Sequence, residues 1–98
     1  MSEEKERAGG CLCGGTRYLV IGEPEAAGAC HCRYCQLRSG AAFGVLAYFK
    51  ETKFSLTLGN PSTYEFSSDS GNAWENQFCS KCGTTISCKL AVFPGQIG

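Results

Sequence analysis

Eight of the 98 residues are cysteines, and seven of them fall into three tight clusters. Cys11-Leu12-Cys13-Gly14 is C-x-C-G, and Cys30-His31-Cys32-Arg33-Tyr34-Cys35 is C-H-C-x-x-C. Cys79-Ser80-Lys81-Cys82-Gly83 is C-x-x-C-G, and Cys88 stands alone. A chain of this length forms one domain and buries only a modest share of its surface, so a staple helps it fold. The staple is either disulfide or metal. Met1 to Arg7 is charged and has no apolar segment behind it, so neither a signal peptide nor a membrane anchor is expected. The expected compartment is therefore the cytoplasm, where stable disulfides are rare, and the cysteines read as metal ligands or reactive thiols.

The C-x-x-C-G run has the mechanics of a metal knuckle. Two thiolates two residues apart reach one ion when the chain turns between them. The following glycine supplies the positive φ of that turn at little steric cost. One pair cannot complete tetrahedral zinc, which needs four donors at a structural site. Cys11 and Cys13 are the natural second pair, with Gly14-Gly15 allowing the chain to bend around the ion. A site of Cys11, Cys13, Cys79 and Cys82 ties the start of the domain to its end, closing a long loop where a clip gains most. A redox role for Cys79 and Cys82 is the competing reading, but the βαβ context of thioredoxin-type motifs is absent.

The central cluster differs. Cys30, Cys32 and Cys35 lie within six residues, so one ion can take all three. Three protein donors and an open position are the pattern of a catalytic zinc. A second structural site completed by His31 or Cys88 is the alternative. A three-donor site should hold its ion more weakly, so a labile second zinc is expected. His31 is the only histidine and reads as a local hydrogen-bonding residue. Arg33 and Arg38 flank the cluster and suit a substrate carboxylate, or serve as solvated surface charge.

Nine Lys+Arg against nine Asp+Glu give no electrostatic footprint for nucleic acid or anionic membrane. No apolar run approaches the ~20 residues of a spanning helix. Residues 1–9 read as a flexible N-terminal tail and 10–98 as a single domain. Thr16–Ile21 (TRYLVI) reads as a strand ended by Gly22 and Pro24. Residues 28–35 read as a cysteine-dense loop and 34–38 as a helical turn. Residues 41–49 suit a buried strand. Phe54, Leu56 and Leu58 alternate with polar residues, and Gly59-Asn60-Pro61 predicts a hairpin to 63–66. Residues 73–78 and 84–90 read as further strands. Trp74, Phe43 and Phe49 are core candidates. Short strands and frequent turns predict a mainly β domain of short antiparallel strands.

The order C-x-C-G, then C-H-C-x-x-C followed by Ser39-Gly40-Ala41-Ala42-Phe43, then Phe78-Cys-x-x-Cys-Gly, resembles the glutathione-dependent formaldehyde-activating family. The resemblance runs from about Gly10 to Leu90. It implies a zinc-stapled β-tent fold and a carbon–sulfur lyase of the S-(hydroxymethyl)glutathione synthase type. By resemblance, Cys11, Cys13, Cys79 and Cys82 hold a structural zinc. Cys30, Cys32 and Cys35 hold a catalytic zinc and serve the substrate. The implied partners are a small thiol such as glutathione and a small aldehyde. Family members usually continue with another strand past the point where this chain stops, which implies a shorter C-terminal end here. A non-catalytic zinc-stapled protein-binding module is the alternative function.

Overall fold

The β-branched and aromatic run after the first cysteine pair forms strand β2 (Arg17–Ile21) in the computed structural model, which describes residues 4–98. Both edges of β2 are occupied. Strand β1 (Glu6–Gly10) pairs antiparallel on one side and β5 (Phe54–Leu58) on the other. Tyr18 of β2 packs on Phe54 of β5 with ring centroids 5.4 Å apart. Part of β1 falls where the charge pattern predicts a tail. Its small Ala8-Gly9-Gly10 end lets the Tyr18 ring lie directly on the backbone, since a Cβ at Gly9 would meet that ring at 2.5 Å. Residues 1–3 of the expected tail lie outside the described residues.

A second sheet has the order β3-β4-β9, from Ala26–Cys30, Gly44–Lys50 and Gln96–Ile97. A third has the order β6-β7-β8, from Ser62–Ser67, Ala73–Phe78 and Thr85–Leu90. Every pairing is antiparallel, so the fold is mainly β as the strand patterning predicts. One short helix, α1 (Arg33–Ser39), begins inside the central cysteine cluster and ends at Gly40 in the left-handed conformation. A 3-10 turn, Glu51–Lys53, joins β4 to β5.

The expected hairpin across Gly59-Asn60-Pro61 does not form. β5 pairs with β2, and β6 pairs with β7 in a different sheet. Gly59 sits against the backbone of Gly15 and Thr16, beside the first cysteine pair, and the chain leaves that contact toward the third sheet. Partner choice is decided by the side chains across the sheet, not by the turn between neighbours.

The sheets meet around a small core. Its buried apolar members are Cys11, Val20, Cys35, Cys79, Cys88, Leu90 and Ile97. Three of these seven, Cys11, Cys35 and Cys79, belong to the cysteine clusters, so each cluster is anchored in the core. Phe43 is partly exposed, and Trp74 and Phe49 are half-buried. Gly98 and Cys88 exchange two backbone hydrogen bonds of 2.8 Å, tying the residue after β9 to β8.

Candidate metal centres

The first and last cysteine pairs are built alike. Cys11 N–H donates to Thr16 O at 3.0 Å, and Cys79 N–H donates to Thr84 O at 2.9 Å. Each loop carries a glycine at positive φ directly after its second cysteine, Gly14 at 79° and Gly83 at 78°. A side chain is strained in that region, so glycine follows the ligand in both. Backbone N–H groups point at the sulfurs: Thr16 N–H donates to Cys11 Sγ at 3.3 Å and Gly15 N–H to Cys13 Sγ at 3.4 Å. The loops also touch through Leu12 N–H, which donates to Thr84 Oγ1 at 3.2 Å.

These contacts bring four sulfurs together from opposite ends of the chain. The donor atoms of Cys11, Cys13, Cys79 and Cys82 all lie within 4.8 Å of one another. Cys11 and Cys13 sulfurs are 3.5 Å apart, and Cys13 and Cys79 sulfurs 3.7 Å. Tetrahedral zinc with Zn–S near 2.3 Å places its sulfurs ~3.8 Å apart, so the donor set fits such an ion. The thiols compete for charge. The Thr84 hydroxyl and N–H, with the Cys13 backbone, hold Cys82 down at about 5. At Cys13 the Gly15 N–H favours the thiolate, but the Cys11 and Cys79 sulfurs outweigh it and push the thiol up to about 11. At Cys11 burial opposes ionisation, yet the Thr16 N–H and the Cys13 and Cys79 thiols outweigh it. Crowded sulfurs cannot all ionise alone, and a divalent cation removes that conflict.

The central cluster is local. Cys30 ends β3, Cys32 caps α1, and Cys35 sits one turn in and is fully buried. Their three sulfurs also lie within 4.8 Å of one another. Cys32 is exposed, and its thiol is lowered by the Cys35 N–H foremost. Burial, then the Cys30 and Cys32 sulfurs, push Cys35 up to about 12, while the approaching Arg38 guanidinium opposes the rise. Both cysteine groups could hold a metal ion.

The remaining candidates separate. Neither His31 nor Cys88 joins either donor set. The exposed His31 ring packs on Phe43 with centroids 5.3 Å apart. Cys88 is buried beside Tyr48, whose hydroxyl is pushed up to about 12 by burial and then by the sulfurs of Cys88, Cys35 and Cys30. Arg33 is exposed, whereas Arg38 reaches the interior.

A family model for the glutathione-dependent formaldehyde-activating enzyme matches residues 6–98, nearly the whole chain. The chain belongs to that family. Its fold is similar to a structural-genomics crystal structure of a Rhodobacter sphaeroides protein, with a TM-score of 0.74 at 22% identity over 94% of this chain and 82% of that one. No curated protein matches. Family membership supports chemistry of the glutathione and formaldehyde type at the level of the family.

Two further residues lie near the site, Asn76, which belongs to no motif, and Tyr34, an x position of C-H-C-x-x-C. Asn76 lies on β7 between Trp74 and Phe78, on the face those rings share. A polar residue interrupting an apolar alternation is the one signal that points to it. The Tyr34 hydroxyl donates to Asp69 Oδ1 at 2.9 Å and its ring lies 5.1 Å from that of Phe66.

Proposed function

We propose that this chain is a zinc-dependent carbon–sulfur lyase that joins or splits a small aldehyde and a thiol such as glutathione. The carrying observation is the set of three convergent sulfurs at Cys30, Cys32 and Cys35, with Cys32 exposed and no fourth donor in the group among the described residues. The four sulfurs of Cys11, Cys13, Cys79 and Cys82 form a closed set and take the structural role. A zinc ion at the central site, when bound, supplies Lewis-acid stabilisation of a thiolate near neutral pH.

In the proposed reaction the thiol adds across the carbonyl. A carbon–sulfur bond forms, the C=O π bond breaks, and the thiol proton ends on the former carbonyl oxygen; the reverse step restores aldehyde and thiol. The chain's own part is to hold sulfur and carbonyl carbon together, where proximity contributes much of the acceleration. Cys35 is anchored in the core, which fixes the cluster, and Cys32 at the surface leaves an approach from solvent. Residues 10–98 work as a single domain in this reading, in the cytoplasm, with no nucleic-acid or membrane partner. No helix among the described residues is long and apolar enough to cross a membrane.

Zinc stoichiometry together with formaldehyde–glutathione adduct exchange, followed by NMR, tests the proposal. Wild type is expected to accelerate exchange, and Cys32→Ala to lose the central ion and the acceleration while keeping one zinc. Full turnover in Cys32→Ala after loss of the central ion would refute it.

A further inference from the structure

Arg33 and Arg38 both lie on α1, and the fold separates them. Arg33 is exposed, whereas the Arg38 side chain turns inward. Two hydrogen bonds fasten the helix to the chain entering β4: Gln36 Nε2 donates to Ala42 O at 3.1 Å, and Ser39 Oγ donates to Phe43 O at 3.0 Å. The next residue is Gly44, and the guanidinium occupies the space its missing side chain leaves. A Cβ at Gly44 would fall on Arg38 Nη2, and it would lie 3.3 Å from Arg38 Cζ and 3.2 Å from Cys35 Cβ. Gly44 is also the ladder partner of Cys30. Paired residues on neighbouring antiparallel strands project to the same face, with their Cβ atoms ~5 Å apart. The guanidinium therefore sits in a notch between Cys30 and Cys35, two of the three central donors.

Arg38 Nη2 is buried and has no hydrogen-bond partner among the described residues, and no carboxylate there forms an ion pair with Arg38. A buried cation without a counter-charge is costly. The sulfurs beside it supply that counter-charge once they ionise. Three thiolates around one divalent ion leave one net negative charge, and an incoming thiolate makes it two. Cys35 is fully buried, so water does not screen its share. The outer set meets the same demand differently. Cys13 is exposed to water, and the backbone N–H groups of Thr16 and Gly15 point at the sulfurs of Cys11 and Cys13.

We propose that Arg38 is a positioning residue for the central metal site: its buried guanidinium is the internal counter-charge that holds Cys30 and Cys35 as thiolate donors. Arg38 then acts through the sulfurs and touches no substrate, in place of the carboxylate contact that its position in the sequence suggests. Gly44 has a matching part, because a side chain there would expel the guanidinium. The assignment rests on the central cluster binding a metal, as in the lyase reading above. It is separable from turnover, because metal affinity is measured without substrate.

Cobalt(II), titrated into protein that carries zinc at the outer site, reports the central site through thiolate-to-metal charge-transfer absorption. Competition with a chromogenic chelator gives its affinity. Arg38→Gln and Arg38→Met are expected to weaken the central ion roughly 10- to 100-fold, the usual effect of losing an outer partner of a ligand, with the outer zinc unchanged. Arg38→Lys keeps the charge and should recover most of the loss. Arg33→Gln removes the same charge from the exposed side of the same helix, where solvent screens it, and should change affinity by less than about threefold. Outer zinc content and melting temperature identify a variant that fails to fold; Arg38→Met buries no polar group and carries the test if Arg38→Gln is one. Three outcomes overturn the assignment and leave the lyase reading standing: neutral Arg38 variants binding within about threefold of wild type, Arg38→Lys binding no better than Arg38→Gln, or Arg33→Gln weakening the site as much as Arg38→Gln. A weakened central ion in the neutral variants, with no adduct exchange by wild type, upholds the assignment and refutes the lyase reading. Wild type that takes up no second metal refutes both.

Discussion

Replacing Cys79 by serine removes one of the four outer sulfurs while keeping the side chain's size. With an ion in place, the cluster closes a loop of 66 residues between Cys13 and Cys79. Chain-entropy arithmetic for a cross-link of that span gives about 4 kcal/mol. Domains of this size are stable by only ~5–15 kcal/mol, so the clip is a large share of the whole. At 4–8 °C per kcal/mol for a small domain, the expected drop in Tm is roughly 15 to 30 °C. The central cluster spans only five positions, Cys30 to Cys35, and the same arithmetic gives ~2 kcal/mol for Cys32→Ser. Exchanging a buried thiol for a hydroxyl has its own cost, and Cys88→Ser measures it. Cys79 and Cys88 are both 3% exposed, and Cys88 belongs to neither cluster. The assay is thermal unfolding by circular dichroism on the three variants, with zinc content of each. Cys79→Ser should melt at least 10 °C below both others. A Cys79→Ser protein melting with Cys88→Ser would refute the clip, because burial alone would then account for the loss.

Loading zinc at pH 7 should release protons, since Cys13 is held up near about 11 and Cys35 near about 12 while Cys82, at about 5, is already ionised. Protons compete with the ion, so affinity should fall as pH falls; calorimetry in two buffers of different ionisation enthalpy measures the release, and none would refute the assignment. The Tyr48 hydroxyl, raised to about 12 chiefly by burial, contributes stability that is complete below its ordinary value near 10. That contribution should be lost as pH rises through 12, and a spectrophotometric titration should show a late-ionising tyrosine that Tyr48→Phe removes. At Gly44, a Cβ would fall on Arg38 Nη2 and 3.2 Å from Cys35 Cβ. Gly44→Ala should therefore displace the guanidinium and cost ~1–3 kcal/mol by overpacking; a melting temperature equal to wild type would contradict the packing of Arg38 against Gly44.

What was legible in the sequence follows from how local each feature is. Strand β2 was readable because Tyr18, Leu19, Val20 and Ile21 are strong strand formers bounded by Gly22. β3 was missed as a strand because Ala26-Ala27-Gly28-Ala29 has no β-branched or aromatic residue; its partner β4 holds it there. The hairpin from β5 failed because β2 already offered Tyr18 to Phe54. At the cysteines, spacing within each knuckle is a local property, and counting donors to four joined the outer pairs without knowing the fold. Asn76 had no such signature, because its position beside Arg38 comes from packing α1 over a sheet formed thirty to fifty residues later.

The three-donor count at the central cluster is not a shortage of ligand residues. His31 and Cys88 are two further donors in the chain, and the fold commits both elsewhere. His31 sits between Cys30 and Cys32, yet its ring packs on Phe43 and stays out of the sulfur group. Cys88 lies beside Tyr48, and its strand is pinned by the two hydrogen bonds to Gly98. Each cysteine group has a buried side and an exposed one: Cys11 and Cys79 against Cys13, and Cys35 against Cys32. In the outer group Cys82 adds a fourth sulfur, completing a closed set. In the central group nothing from the described chain supplies a fourth. In the lyase reading the incoming thiol supplies the fourth donor, and exposed Cys32 leaves its approach open.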